Sequence, residues 1–151
     1  GSLRIREDIQ MGIEHAPQAL VDVYTGRNTG KKLIALLGGT GGGRDTWKRG
    51  EMGRLADLYC DVVILTDEDP YDEDPQKIVN DVASGVSTKK PIVEMDRRVA
   101  IRTALKMADK NDVILITGKG TDPYIMGPRG SKTPWSDAGV VREELKGFKK
   151  S

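Results

Sequence analysis

Three short apolar runs constrain this chain more than anything else in it. They are Leu33-Ile34-Ala35-Leu36-Leu37, Val62-Val63-Ile64-Leu65 and Val113-Ile114-Leu115-Ile116. None alternates with polar residues, so each reads as a strand covered on both faces. Pro91-Ile92-Val93-Glu94-Met95 is a weaker fourth candidate. Helical patterns fill the gaps. Asp74-Pro75 supplies a cap and a first-turn proline, after which Ile78, Val79, Val82 and Ala83 share one face before Gly85. Asp96 caps a pattern with the stripe Ala100, Ile101, Ala104, Leu105 and Ala108. Met52, Leu55, Ala56 and Tyr59 form another stripe, Pro17 to Tyr24 reads as a first helix, and Ser136-Asp137 opens a last one through Leu145.

This alternation predicts an α/β fold, a three-layer Rossmann-like and mostly parallel sheet with helices on both faces. The stretch Pro123 to Trp135 breaks the rhythm with Gly127-Pro128 and Gly130, and reads as a hairpin or ordered loop. At 151 residues with 37% hydrophobic content, the chain has enough apolar material for one core. Lys and Arg number 24 against 23 Asp and Glu, which removes any global electrostatic case for nucleic acid or an anionic membrane. No apolar run approaches the roughly 20 residues of a membrane helix. Cys60 is alone, so no internal disulfide forms, and a cytoplasmic setting is expected. Residues 1–12 read as a cloning remnant, Gly1-Ser2, plus linker; residues 13–148 read as the domain and 149–151 as a tail.

In open α/β sheets ligands sit beyond the carboxyl ends of the strands. Three loops there carry candidate chemistry. Gly38-Gly39-Thr40-Gly41-Gly42-Gly43-Arg44-Asp45 lets backbone N–H groups approach an anion, with the Arg44 guanidinium beside it. It is neither a P-loop nor the dinucleotide fingerprint, since no Gly-Lys precedes Ser or Thr and Arg44 stands where the last glycine would. It reads otherwise as a flexible turn. Asp67 to Asp74 holds six acids in eight residues, which reads either as a cation site or as a solvated loop feeding a helix N-terminus. Thr117-Gly118-Lys119-Gly120-Thr121-Asp122 follows the last strand, and Lys119 either reaches a phosphate or lies exposed. His15 is the only histidine, so no zinc site is expected.

Taken in order, these loops resemble the C-terminal domain of the Mur ligases, most of all the branch that adds the third residue of the peptidoglycan stem peptide. The resemblance runs from Glu14 to Leu145. It is carried by Glu14-His15-Ala16-Pro17-Gln18-Ala19-Leu20, by Gly42-Gly43-Arg44-Asp45 with Lys48-Arg49 and Met52-Gly53, and by Asp69-Pro70 with Glu73-Asp74-Pro75. Gly118-Lys119-Gly120 with a following acid, and Trp135-Ser136-Asp137, complete it.

The resemblance implies the last domain of a three-domain, ATP- and magnesium-dependent amide ligase whose nucleotide is bound mainly by a central domain. The partners it implies are UDP-N-acetylmuramoyl dipeptide, a diamino acid and the protein's own N-terminal and central domains. Such an enzyme activates a carboxylate as an acyl phosphate, and this domain delivers the amino acid that attacks it. The domain alone is then expected to be inactive. Carried over by position, Arg44 clamps a carboxylate of the incoming amino acid. Glu68, Asp69 and Tyr71 face its distal end, and Gly118 and Asp122 line the same pocket. His15 and Lys119 lie near the nucleotide.

Members that use meso-diaminopimelate carry Asn-Pro-Arg where this chain has Asp69-Pro70-Tyr71, and a Glu preceded by His where it has Thr121-Asp122. An added acid and a missing arginine favour a cationic side chain such as lysine or ornithine. Two rival classes are a stand-alone Rossmann-like nucleotide-binding module and a calcium-dependent switch built on the acidic loop.

Overall fold

The computed structural model describes residues 32–43, 45–110 and 112–148. His15, Arg44 and the helix expected at Pro17 to Tyr24 lie outside the described residues. The three apolar runs form strands with the predicted bounds: β1 (Leu33–Leu37), β2 (Val62–Leu65) and β4 (Val113–Ile116). The weaker candidate contributes the two-residue β3 (Ile92–Val93). All pair in parallel in the order β3-β2-β1-β4.

Every residue of β1 is buried, because the strand is central and covered on both faces. Leu33, Ala35 and Leu37 point into one apolar layer with Ala56, Val79 and Val82. Ile34 and Leu36 point into the other with Ala100, Ile101, Ala104 and Val140. The side-chain period of two along the strand thus builds a three-layer sandwich.

Helices α1 (Trp47–Tyr59) and α2 (Pro75–Ala83) cover the first face, and α3 (Arg97–Met107) and α4 (Asp137–Phe148) the second. The caps sit where the sequence places them. Asp74 accepts from the Gln76 N–H with Pro75 in the first turn, and Asp96 accepts from the Val99 N–H. Helix α1 departs from its expected stripe. Its buried residues are Arg49, Gly53, Ala56 and Asp57, while Met52, Leu55 and Tyr59 are only half-buried. The cause is close helix contact. A Cβ added at Gly53 would lie 2.0 Å from the Val82 carbonyl oxygen, and one at Gly85 would lie 1.8 Å from that of Gly50. Backbone approach, not an apolar stripe, sets this face.

Asp57 fastens the same helix from its far end. Its carboxylate accepts from the backbone N–H groups of Ser87, Thr88 and Lys89 and from both hydroxyls. Burial opposes its charge, yet these donors hold its pKa well below the usual carboxylate range. The segment 123–135 is a hairpin of β5 (Tyr124–Met126) and β6 (Lys132–Pro134) with a 3-10 turn at Pro128–Gly130. Among the described residues no helix is long and apolar enough to cross a membrane.

A methyl group at Gly53 has nowhere to go without parting α1 from α2. Gly53→Ala is expected to destabilise the fold by about 1–3 kcal/mol despite the gain in helix propensity, read by urea denaturation.

Candidate functional site

The chain winds β1, β2, β3 to one side and then crosses to place β4 on the other side of β1. Strand order reverses between β1 and β4, and the loops leaving them part at that point. The loop after β1 (Gly38 to Asp45), the loop after β2 (Thr66 to Asp74) and the loop after β4 (Thr117 to Pro123) therefore meet at one edge of the sheet.

Glu68 lies at the meeting place. Its side chain passes between Gly38 and Gly118, where an added Cβ would lie 2.6 Å from Glu68 Cβ and 2.0 Å from Glu68 Oε2 respectively. Gly118 also has φ of 104°, so both sterics and backbone demand glycine there. Glu68 is buried and its Oε1 accepts from the Thr40 hydroxyl at 3.0 Å. Burial pushes its pKa up.

Lys119 is the second centre. Its side chain is fully buried, and Nζ donates to Asp69 Oδ1 at 2.8 Å and Oδ2 at 2.7 Å. It reaches Asp122 Oδ2 at 3.3 Å. Asp69 Oδ1 also accepts from the Met126 N–H at 2.8 Å, and the Asp69 carbonyl accepts from the Gly41 N–H at 2.7 Å. One ion pair thus joins the three loops and the hairpin. Lys119 is neither exposed nor free to reach a phosphate.

Two further arginines pin the rim. Arg49 holds Glu73 with both Nη atoms at 2.7 and 2.8 Å, reaches Asp81 at 2.9 Å, and donates to the Thr40 carbonyl. Its guanidinium draws the Glu73 pKa down to about 2. Arg97 forms a two-pronged pair with Asp137 at 2.9 and 2.7 Å and donates to the carbonyls of Thr117 and Asp67. Asp137 also accepts from the Trp135 indole N–H.

Of the residues predicted for the site, Glu68, Asp69, Gly118, Lys119 and Asp122 converge. Tyr71, half-buried with φ of 52°, is tied alongside through its N–H to the Met126 carbonyl. The acidic loop is not simply solvated, since Glu68 and Asp69 are buried. Among the described residues no group of three or more His, Cys, Asp or Glu is placed to hold a metal ion. Cys60 is buried with its thiol pushed up to about 11 by burial, which removes it as a nucleophile. Sequence reasoning missed the clamps of Arg49 and Arg97. Their only local signals were a basic residue inside a matched block and an arginine just after a helix cap.

A parallel sheet wound to both sides of β1, with its switch-point loops fastened by buried ion pairs, defines a Rossmann-like domain. The sequence profile described as "Mur ligase, glutamate ligase domain" matches residues 12–120, and the chain belongs to that family. It is 44% identical over 135 residues to the UDP-N-acetylmuramoyl-L-alanyl-D-glutamate–2,6-diaminopimelate ligase of Aquifex aeolicus, covering 88% of this chain and 28% of the relative. The enzyme of the same name from Fusobacterium nucleatum is 42% identical over 136 residues, covering 87% and 27%. A solved structure of a ligase with that name superposes with a TM-score of 0.77 at 32% identity, covering 89% of this chain and 28% of the other. The chain spans just over a quarter of the length of the relatives it matches.

Removing Lys119 leaves a buried carboxylate uncompensated. Lys119→Met is expected to cost about 3–5 kcal/mol, and Asp69→Asn in the same chain to recover part of it, by chemical denaturation. Glu73 contributes stability that is complete above its ordinary pKa of 4.5 and is lost as pH falls through about 2. The unfolding free energies of wild type and Glu73→Gln are therefore expected to converge as pH drops across that window.

Proposed function

We propose that this domain delivers the incoming diamino acid in an amide-forming ligase that extends UDP-N-acetylmuramoyl dipeptide by its third residue. The observation that carries the reading is the convergence of Glu68, Asp69, Gly118 and Asp122 at the switch point of a Mur-family sheet. The names of the two relatives described above, both 2,6-diaminopimelate ligases, point the same way.

In this reading Arg44, by its position in the glycine-arginine block, holds the carboxylate of the amino acid. The open face of the Glu68–Asp122 cleft accepts the rest of it, and the glycines of both loops let backbone N–H groups come close. Tyr71 stands at the distal end. The dipeptide carboxylate is activated elsewhere in the protein, and the amino group presented here attacks it.

The described residues offer no fit for a nucleotide or magnesium site. The chain has no P-loop, Lys119 is committed to Asp69, and no metal-ligand cluster occurs among the described residues. ATP and magnesium therefore belong, in this reading, with segments beyond this chain, which are its partner domains. In this reading His15 serves near the nucleotide, a role it takes only from the family resemblance of its segment. An expected consequence is that residues 1–151 alone show no turnover.

The acid introduced at Asp69 carries less weight for substrate choice than its charge implies. Lys119 neutralises it at contact distance, so it exerts little pull on an incoming ammonium group. The site still suits a diamino acid, because Asp122 keeps an exposed carboxylate at the rim.

The test uses the full-length protein that contains this chain. Phosphate release from ATP is expected to require both UDP-N-acetylmuramoyl dipeptide and a diamino acid, and Arg44→Ala to lower kcat/KM for the amino acid roughly thirtyfold or more. Release independent of any amino acid would overturn the proposal and favour a nucleotide-binding module.

A further inference from the structure

We propose that Arg97 is a positioning residue for the amino-acid cleft: it fixes the spacing between the loops after β2 and β4, and through that spacing the fit of the incoming amino acid. The inference rests on the ligase reading above and adds to it a residue that touches no substrate.

The argument begins with a gap in the sheet. Strands β2 and β4 lie on opposite sides of β1, roughly 10 Å apart at two strand spacings. Each is hydrogen-bonded to β1 and neither to the other. Past the strand ends the ladder no longer couples their loops. Yet Glu68 of one loop packs against Gly118 of the other so closely that a Cβ added at Gly118 would lie 2.0 Å from Glu68 Oε2. That contact needs the two loops in fixed register.

Arg97 spans the gap from the α3 face. The Glu94 N–H donates to the Leu65 carbonyl at the end of β2, and Asp96 then caps α3, which brings the first residue of the helix against both loops. The Arg97 side chain is buried. Nη1 donates to the Asp67 carbonyl at 3.3 Å and Nη2 to the Thr117 carbonyl at 2.7 Å. These carbonyls belong to the residues just before Glu68 and Gly118. The residues just after them, Asp69 and Lys119, form the buried ion pair. The contact of Glu68 with Gly118 is therefore bracketed by one charged tie on each side.

Only a planar fork suits this place. The guanidinium serves two carbonyls and, at 2.9 and 2.7 Å, both oxygens of Asp137. Asp137 in turn accepts from the Trp135 indole N–H at 2.8 Å, which anchors the clamp to the start of α4 and the end of the hairpin. A lysine ammonium keeps the charge opposite Asp137 but cannot span both carbonyls from a single nitrogen. Arg97→Lys thus changes the spacing of the loops while leaving the charge in place.

The experiment follows phosphate release from ATP by the full-length protein, with meso-diaminopimelate and lysine supplied separately as the amino acid. Arg97→Lys is compared with Asp57→Asn, which loosens the far end of α1 and controls for lost stability. Both are expected to lower the melting temperature. Arg97→Lys alone is expected to raise KM for the accepted amino acid about tenfold or more, with KM for ATP and for UDP-N-acetylmuramoyl dipeptide unchanged. If Arg97→Lys does not fold, Arg97→Gln combined with Asp137→Asn removes the clamp without leaving a buried charge unpaired, and the same rise in amino-acid KM is expected. An unchanged amino-acid KM, an equal rise in Asp57→Asn, or an equal rise for all three substrates would overturn the inference and leave the ligase reading standing. No amino-acid-dependent release by the wild type would remove both.

Discussion

The buried pair of Lys119 and Asp69 organises the loops at the carboxyl edge of this sheet. Taking an ammonium group wholly out of water is expensive, and the interior compensates only where the geometry is close and the remaining donors and acceptors are met. Here both Asp69 oxygens lie within 2.8 Å of Nζ, and the Met126 N–H satisfies Asp69 from a third direction. Lys119 comes from the loop after β4, Asp69 from the loop after β2, and Met126 from the hairpin. Such a pair fixes geometry more than it adds stability. The loops and the hairpin are thereby held in one arrangement relative to one another.

The same logic accounts for the dense acidic run. Each of its six acids has a hydrogen-bond partner. Asp67 accepts from the Glu68 N–H, Glu68 from Thr40, and Asp69 from Lys119. Asp72 accepts from the Arg129 N–H, Glu73 from Arg49, and Asp74 caps α2. A run that composition reads as solvated charge is a set of fasteners. Beneath it the sheet is held by apolar burial on two faces, as β1 shows. The molecule divides into an apolar core that sets the topology and an ionic rim that sets the loops.

That division also decides what the sequence reveals. The strands and the caps of α2 and α3 were legible, because continuous apolar runs and Asp-capped starts are local signals. The buried face of α1 was not, since it depends on Gly53 meeting the backbone of α2. The place of the three loops followed from the carboxyl-edge rule, and their identity came from residues matching a family pattern. What escaped was the fate of each charge. Lys119 finds its partner 50 positions away, and Arg97 finds Asp137 at 40. Nothing near either residue marks it as buried. Long-range charge pairing carries no periodicity, so it appears only when the fold is in hand.

The acidic run makes two opposite demands on protons. Glu73 is held ionised by its donors, so its contribution grows as pH rises toward the ordinary carboxylate range. Glu68 and Asp67 are pushed the other way by burial, and their ionisation works against the fold as pH rises further. The acids that fasten the loop are therefore charged under conditions where the acid at the centre of the cleft holds its proton more tightly than a free carboxyl does. Glu73 and Glu68 lie five positions apart in one run of acids yet have opposite electrostatic surroundings. A single run of acids thus supplies both the charge that fastens the loops and a buried, less readily ionised group where they meet.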